Sequence, residues 1–156
     1  MPREEFLSAV YMLIKNKAGK ILFQRRCGSK LWPNFLGLPA GHIDKGEDAY
    51  IALTREAKEE LDIDINSSFI EDTFVVNRLN KNLKPYYDVY FVLNNYEGQI
   101  KIKEPNKCSE LVWLSLDNLS DDVITFEKVA LNNYQKGIKF STIKIDEEED
   151  MLRLEK

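Results

Sequence analysis

The sequence predicts a layered α/β (α+β) domain built on a mixed β-sheet. Three observations carry that expectation. Short strand-like apolar runs and two helix-length periodic segments follow one another in the irregular order β-β-α-β-β-β-α, which suits layers of both kinds of element. The length, 156 residues, fits one domain and leaves no room for two ordinary ones. The composition, 44% hydrophobic and 31% charged with seven Gly and five Pro, is that of a folded globular chain. It excludes collagen-like, low-complexity and wholly disordered chains.

Taken in order, residues 10–15 and 21–26 are apolar runs separated by Asn16-Lys-Ala-Gly-Lys20, which reads as strand, turn and strand. Residues 27–38 hold Gly28, Pro33 and Gly37 and read as a loop, and residues 40–46 as a second irregular stretch. From Glu47 to Leu61 there is no turn residue, and Ala49, Leu53, Ala57 and Leu61 recur every four residues as one apolar helical stripe. Residues 69–76, 86–93 and 113–116 read as strands, with Trp113 in the core. Residues 123–136 read as a helix through Val123, Phe126, Val129, Ala130 and Tyr134, opened by Asp121 and Asp122. The domain is expected over 1–137, followed by an acidic tail over 138–156 whose run at 146–150 is solvated or frayed.

Charge and special residues exclude several functions. The formal net charge is −4, from 22 basic and 26 acidic residues, which is not the balance of a duplex-DNA or membrane-surface binder. No apolar run approaches the ~20 residues of a membrane span. The first residues place Glu4 and Glu5 ahead of a short apolar stretch, the wrong flank for a secretory signal. Cys27 and Cys108 are far apart, make neither a disulfide framework nor a zinc site, and read as inert thiols of a reducing cytoplasm. His42 is the one histidine, so a multi-histidine metal site is excluded, and it reads as a structural loop residue.

The informative segment runs from Gly41 to Ile63. Glu56, Glu59 and Glu60 share an arc of about 100° on the helix, and Glu60 lies at the edge of the apolar stripe. Carboxylates crowded at a core margin repel one another and lose solvation. Either pairing with Arg55 and Lys58 or a divalent cation must compensate. A carboxylate set without His or Cys favours Mg²⁺ or Mn²⁺ over zinc.

The pattern Gly41-x5-Glu47-x7-Arg55-Glu56-Ala57-x-Glu59-Glu60-x-Asp62-Ile63 closely resembles the Nudix box, G-x5-E-x7-R-E-U-x-E-E-x-G-U with U aliphatic. Six matches at fixed spacing arise by chance about once in ten million windows at average residue frequencies. Two positions depart. Ala57 is smaller than the usual aliphatic residue. Asp62 replaces the glycine that closes the helix, where an acid tolerates the left-handed conformation less well and opposes the helix dipole.

The resemblance implies a Nudix-like α/β/α sandwich with a mixed sheet, reaching over roughly residues 8 to 136. It implies a Mg²⁺-dependent (or Mn²⁺-dependent) hydrolase that cleaves a nucleoside diphosphate linked to a further group. Glu56, Glu59 and Glu60 match the metal-binding and base-providing carboxylates, with Glu56 or Glu60 nearest the attacking water. Arg55 orients them. The backbone of Ala40 and Gly41 matches a further metal ligand, and Glu47 pairs with Arg55 or supports the ligands. Glu104 resembles the extra carboxylate of a later loop, with Glu110 as the alternative. Arg26, at the end of the second strand, matches a phosphate-binding arginine of MutT-type members. Arg25 points to the opposite face. Trp32 either stacks on a nucleobase or anchors its loop.

Markers of the ADP-ribose, dinucleoside polyphosphate, NADH and coenzyme A subgroups are absent downstream of the box, which leaves a MutT-type nucleoside triphosphate hydrolase in the lead. The expected partner is a nucleotide, on a monomer or homodimer, without membrane or duplex nucleic acid. The rival readings are an ADP-ribose or nucleotide-sugar pyrophosphatase and a non-catalytic Nudix-fold nucleotide-binding module. Retention of all the box glutamates argues against the module.

Overall fold

A computed structural model describes residues 1–145. The first two strands, β1 (Leu7–Ile14) and β2 (Ile21–Arg26), flank a turn in which the Asn16 side chain accepts from the amides of Ala18 and Lys20, both at 3.0 Å. This Asx-type turn sends the chain from one sheet into another. β1 lies in a five-stranded mixed sheet of order β4-β1-β6-β5-β8, whereas β2 is the centre of a three-stranded antiparallel sheet, β3-β2-β7. The remaining strands are β3 (Leu36–Gly37), β4 (Ala40–His42), β5 (Ile70–Asn80), β6 (Tyr86–Leu93), β7 (Cys108–Leu114) and β8 (Phe140–Ile145). The helices are α1 (Ala49–Leu61) and α2 (Thr125–Gln135).

Two faces of the mixed sheet make two cores. Val10, Met12, Ile14, Phe91 and Leu93 pack with Ala52, Leu53, Ala57 and Leu61 of α1. Ala9, Tyr11, Leu13, Phe74, Val76, Tyr90 and Val92 pack with Phe126, Ala130 and Leu131 of α2. The helices therefore cover opposite faces, as an α/β/α sandwich requires. Trp113 packs against the α1 side. Among the described residues no helix is long and apolar enough to cross a membrane.

Several boundaries differ from the sequence reading. Helix α1 starts after Asp48, whose carboxylate caps the Ile51 amide at 2.8 Å, and its buried stripe uses Ala52, with Ala49 only partly covered. Asp62 takes the left-handed conformation (φ 59°, ψ 34°) that glycine ordinarily holds, and Lys58, Lys101 and Lys103 gather around its carboxylate at 3.6–3.7 Å. Burial alone would raise that carboxyl, but the three ammonium groups hold it below its ordinary value and offset the unfavourable dipole. Helix α2 opens at Thr125 and not at 123. Asp122 does not cap it, because its carboxylate is taken by Arg25 at 2.6 Å and Ser120 at 2.6 Å. Val129 faces solvent, and Glu127 is buried instead.

Strand β5 runs four residues past the expected end at 76. Its inward positions alternate Phe74, Val76, Arg78, Asn80, so the pleat continues while the apolar signal stops. Part of the stretch expected as a tail over 138–156 is a strand. Phe140–Ile145 form β8, parallel to β5, with Ile143 and Ile145 inward. The acidic run at 146–150 lies outside the described residues.

Candidate active site

The site is assembled where α1 meets the short strand β4. Antiparallel pairing of Val10 with Gly41 and Tyr11 with Ala40 fixes the β4 backbone on the sheet. Gly41 then stands directly under Glu56. A Cβ at position 41 would fall inside the Glu56 carboxylate, so only glycine leaves that acid its place.

Arg55 organises the segment. It grips Glu47 with two bonds, Nε to Oε2 at 2.7 Å and Nη2 to Oε1 at 2.8 Å. It reaches Glu56 through Nη1 at 2.8 Å, Glu59 at 3.2 Å and the His42 carbonyl at 3.0 Å. The forked guanidinium suits this because its donors are fixed in one plane. The Arg55 bonds, with the Asp44 amide, hold the Glu47 carboxyl down at about 2.

The recessed carboxylates behave in the opposite way. Burial raises Glu56 above its ordinary value against the pull of Arg55. Burial first, then Glu56 and Glu104, push Glu60 up to about 8, while Lys107 and the Ala40 amide pull the other way. Glu60 Oε2 is sealed from solvent and meets no hydrogen-bond donor among the described residues. An acceptor left so beside two further acids is a donor deficit that a cation removes. The residues therefore fit a hard divalent ion. Among the described residues no three His, Cys, Asp or Glu side chains close on an ion by themselves. Mg²⁺ does not need such a cage, since it combines one or two carboxylates with waters and substrate phosphates.

These groups line a cavity of about 480 Å³ that also contains Arg26, Ala40, Gly41, Glu59, Glu104 and Lys107. Of the two alternatives for the extra acid, Glu104 is in the cavity, and Glu110 is engaged by Arg25 at 3.1 Å. Arg25 and Arg26 do diverge. A bulge between them leaves Arg25 on Glu110 and Asp122, while Arg26 bonds Ser29 Oγ at 3.1 Å and the Leu31 carbonyl at 3.1 Å. A second cavity, of about 490 Å³, shares Arg26, Ala40, Gly41 and His42 with the first and has Trp32, Arg78 and Tyr86 in its wall. Trp32 is only 7% exposed and packs 5.2 Å from Phe126, so most of its ring anchors the loop. His42 shares a 2.8 Å hydrogen bond with Tyr86 Oη.

A family model described as NUDIX domain matches residues 5–134. The chain belongs to the NUDIX domain family. It is similar to an RNA pyrophosphohydrolase of Pelagibacter ubique (strain HTCC1062), 29% identical over 147 residues that span 85% of this chain and 90% of that protein. Its fold is similar to that of a MutT NUDIX hydrolase from Burkholderia pseudomallei, with TM-score 0.70, 25% identity and coverage of 83% and 98% of the two chains. It is also similar to a MutT protein from Methanosarcina mazei Go1, with TM-score 0.75, 21% identity and coverage of 89% and 99%. As a NUDIX hydrolase the chain acts on pyrophosphate linkages.

Some residues in and around this candidate site were silent in the sequence. Lys107 enters the cavity through the β2–β7 pairing, which no local pattern announces. Arg78 is buried under the second cavity, paired to Asp88 at 2.7 Å and held between the rings of Tyr86 and Phe126 at 4.2 and 4.4 Å. The acid in the middle of apolar β6 was the available signal. Glu127 accepts the Leu38 amide at 2.8 Å and so ties α2 to the segment leading into β4.

Proposed function

We propose that the chain is a Mg²⁺-dependent pyrophosphohydrolase, with Mn²⁺ able to substitute, that converts a nucleoside triphosphate to its monophosphate and pyrophosphate. The observation that carries this reading is Glu60, whose buried, donor-less Oε2 stands beside Glu56 and Glu104. Glu56, Glu59, Glu60, Glu104 and the Ala40–Gly41 backbone would hold the metal. When bound, it supplies charge neutralisation for the polyphosphate and lowers the pKa of a water. Arg55 keeps Glu56 and Glu59 in place through its shared Nη1. Glu47 fixes Arg55 in turn. The proton of the attacking water goes to Glu56 or Glu60, which separate Gln variants tell apart. Arg26 stands between the two cavities, so phosphates bind in the acidic one and the nucleoside in the neighbour, against Trp32.

The Pelagibacter relative's name favours a second reading, in which the triphosphate is the 5′ end of an RNA. The two free cysteines suit a reducing, cytoplasmic setting.

The test is a panel with Mg²⁺: nucleoside triphosphates, 8-oxo-dGTP, a 5′-triphosphate RNA oligonucleotide, ADP-ribose and nucleotide sugars, with products separated. Monophosphate plus pyrophosphate from a free triphosphate is expected. Turnover confined to ADP-ribose or sugars overturns the substrate assignment, and turnover confined to the oligonucleotide selects the RNA reading.

A further inference from the structure

The catalytic cavity is not acidic all round. Arg26 at the end of β2 lies opposite Cys108 in the β2–β7 pairing, and Lys107 precedes Cys108. Two loops are locked together there. The Cys27 amide donates to the Lys107 carbonyl at 3.0 Å, and the Cys27 thiol reaches the Pro105 carbonyl at 3.5 Å. Gly28, at φ +70°, rests on the Asn106 carbonyl so closely that any Cβ would collide with it. The turn is closed by the Lys107 and Cys108 amides on the Glu104 carbonyl, at 2.9 and 3.0 Å. A rigid backbone thus carries an exposed ammonium. The Lys107 side chain is 68% exposed, is paired to Glu104 at a loose 3.5 Å, and acts electrostatically on Glu60.

We infer that Lys107 is a substrate-binding residue. It receives the terminal phosphate of the triphosphate, the one that leaves within pyrophosphate, because it lines only the acidic cavity while Arg26 borders the nucleoside cavity as well. This rests on the triphosphate reading above and adds the basis of its selectivity. A terminal phosphate carries close to two negative charges at neutral pH, since its second pKa is about 6. A phosphate inside a diphosphate diester such as ADP-ribose has one charge and no terminal group. The carboxylate wall repels the extra charge, whereas the Lys107 end attracts it. A cavity with both ends therefore prefers a polyphosphate tail to a diester.

The experiment compares Lys107→Met and Lys107→Arg with the unaltered chain in Mg²⁺. KM and kcat are measured on the best triphosphate and on a diphosphate diester of the same base. Binding of the α,β-imido triphosphate analogue, which resists hydrolysis, is measured by calorimetry. Lys107→Met is expected to raise KM and Kd for the triphosphate about tenfold, the worth of one charge-assisted hydrogen bond. In that variant kcat stays within about twofold and the diester is unaffected. Lys107→Arg is expected to recover most of the loss. Unchanged triphosphate KM and Kd in Lys107→Met, or equal losses on both substrates, overturns the inference and leaves the proposed function standing. An unaltered chain that cleaves only diesters overturns both.

Discussion

Gly41→Ala isolates the placing of one carboxylate. The added methyl carbon would sit within 2.5 Å of all three terminal atoms of Glu56. Non-bonded carbon atoms are comfortable near 3.5–4.0 Å, and the added carbon would lie 2.0 Å from the Glu56 carboxyl carbon, so the carboxylate must retreat by roughly 1.5 Å. It cannot do so and keep its 2.8 Å bond from Arg55, which is shared with Glu59. A misplacement of that size costs on the order of 100-fold in turnover. Stability should change little, because the methyl enters a polar cavity and Arg55 retains its two bonds to Glu47. The assay is steady-state pyrophosphate release from the best substrate at saturating Mg²⁺, with thermal unfolding in parallel. A kcat loss of about 100-fold with Tm within a few degrees is expected. A variant within threefold of the unaltered kcat would show that Glu56 tolerates displacement, and its role as a ligand or base would be refuted.

The other predictions concern buried charge. Glu60→Gln should cut kcat by at least about 100-fold. The same variant should raise Tm at pH 8 in a metal-free chelating buffer, because it removes a carboxyl pushed up to about 8. Mg²⁺ binding at pH 7 should release a proton, seen as a buffer-dependent calorimetric enthalpy, because the Glu60 carboxyl is mostly protonated there before the metal binds. Glu127 is buried and also raised to about 8 from an ordinary 4.5, so its proton is held more tightly in the folded chain. Its contribution to stability is complete below about 4.5 and is lost as pH rises through about 8. Glu127→Gln keeps an acceptor for Leu38, and its Tm should exceed that of the unaltered chain at pH 8.5 and match it at pH 4. Asp88→Ala strands a buried Arg78 and should cost about 3–5 kcal/mol, a Tm drop of about 10 °C. Replacing both partners with leucine should recover most of that loss, and a double variant as unstable as the single one would show the pair to be net stabilising.

What the sequence made legible was whatever a single segment encodes. Glu47, Arg55, Glu56 and Glu59 belong to one helix and its entry loop, so their meeting follows from 3.6 residues per turn. Arg26 and Glu104 came only through the family resemblance, and the structure does bring both to the cavity. Strand pairing was less visible. Residues 10–15 and 21–26 read as strands joined by a turn, and nothing local says that they enter different sheets. The end of β5 was hidden because Arg78 buries itself on an acid ten positions away. Lys107 needed the β2–β7 register, and Asp122 looked like a helix cap until Arg25, 97 residues earlier, proved to own it. Residues 140–145 carry an alternating pattern, but the acidic run beyond them suggested a tail.

Strand β8 sets the order in which this sheet can be finished. It is the outermost strand beside β5, and it is made from residues that follow α2. Until those residues leave the ribosome, β5 has an uncovered edge of peptide groups, a template on which a neighbouring copy can add. A nick or stop codon near Gly137 would spare every proposed ligand of the metal and still leave that edge bare. The hazard of such a product is aggregation with an intact acidic cavity, and its diagnosis belongs to a sedimentation experiment before an activity assay.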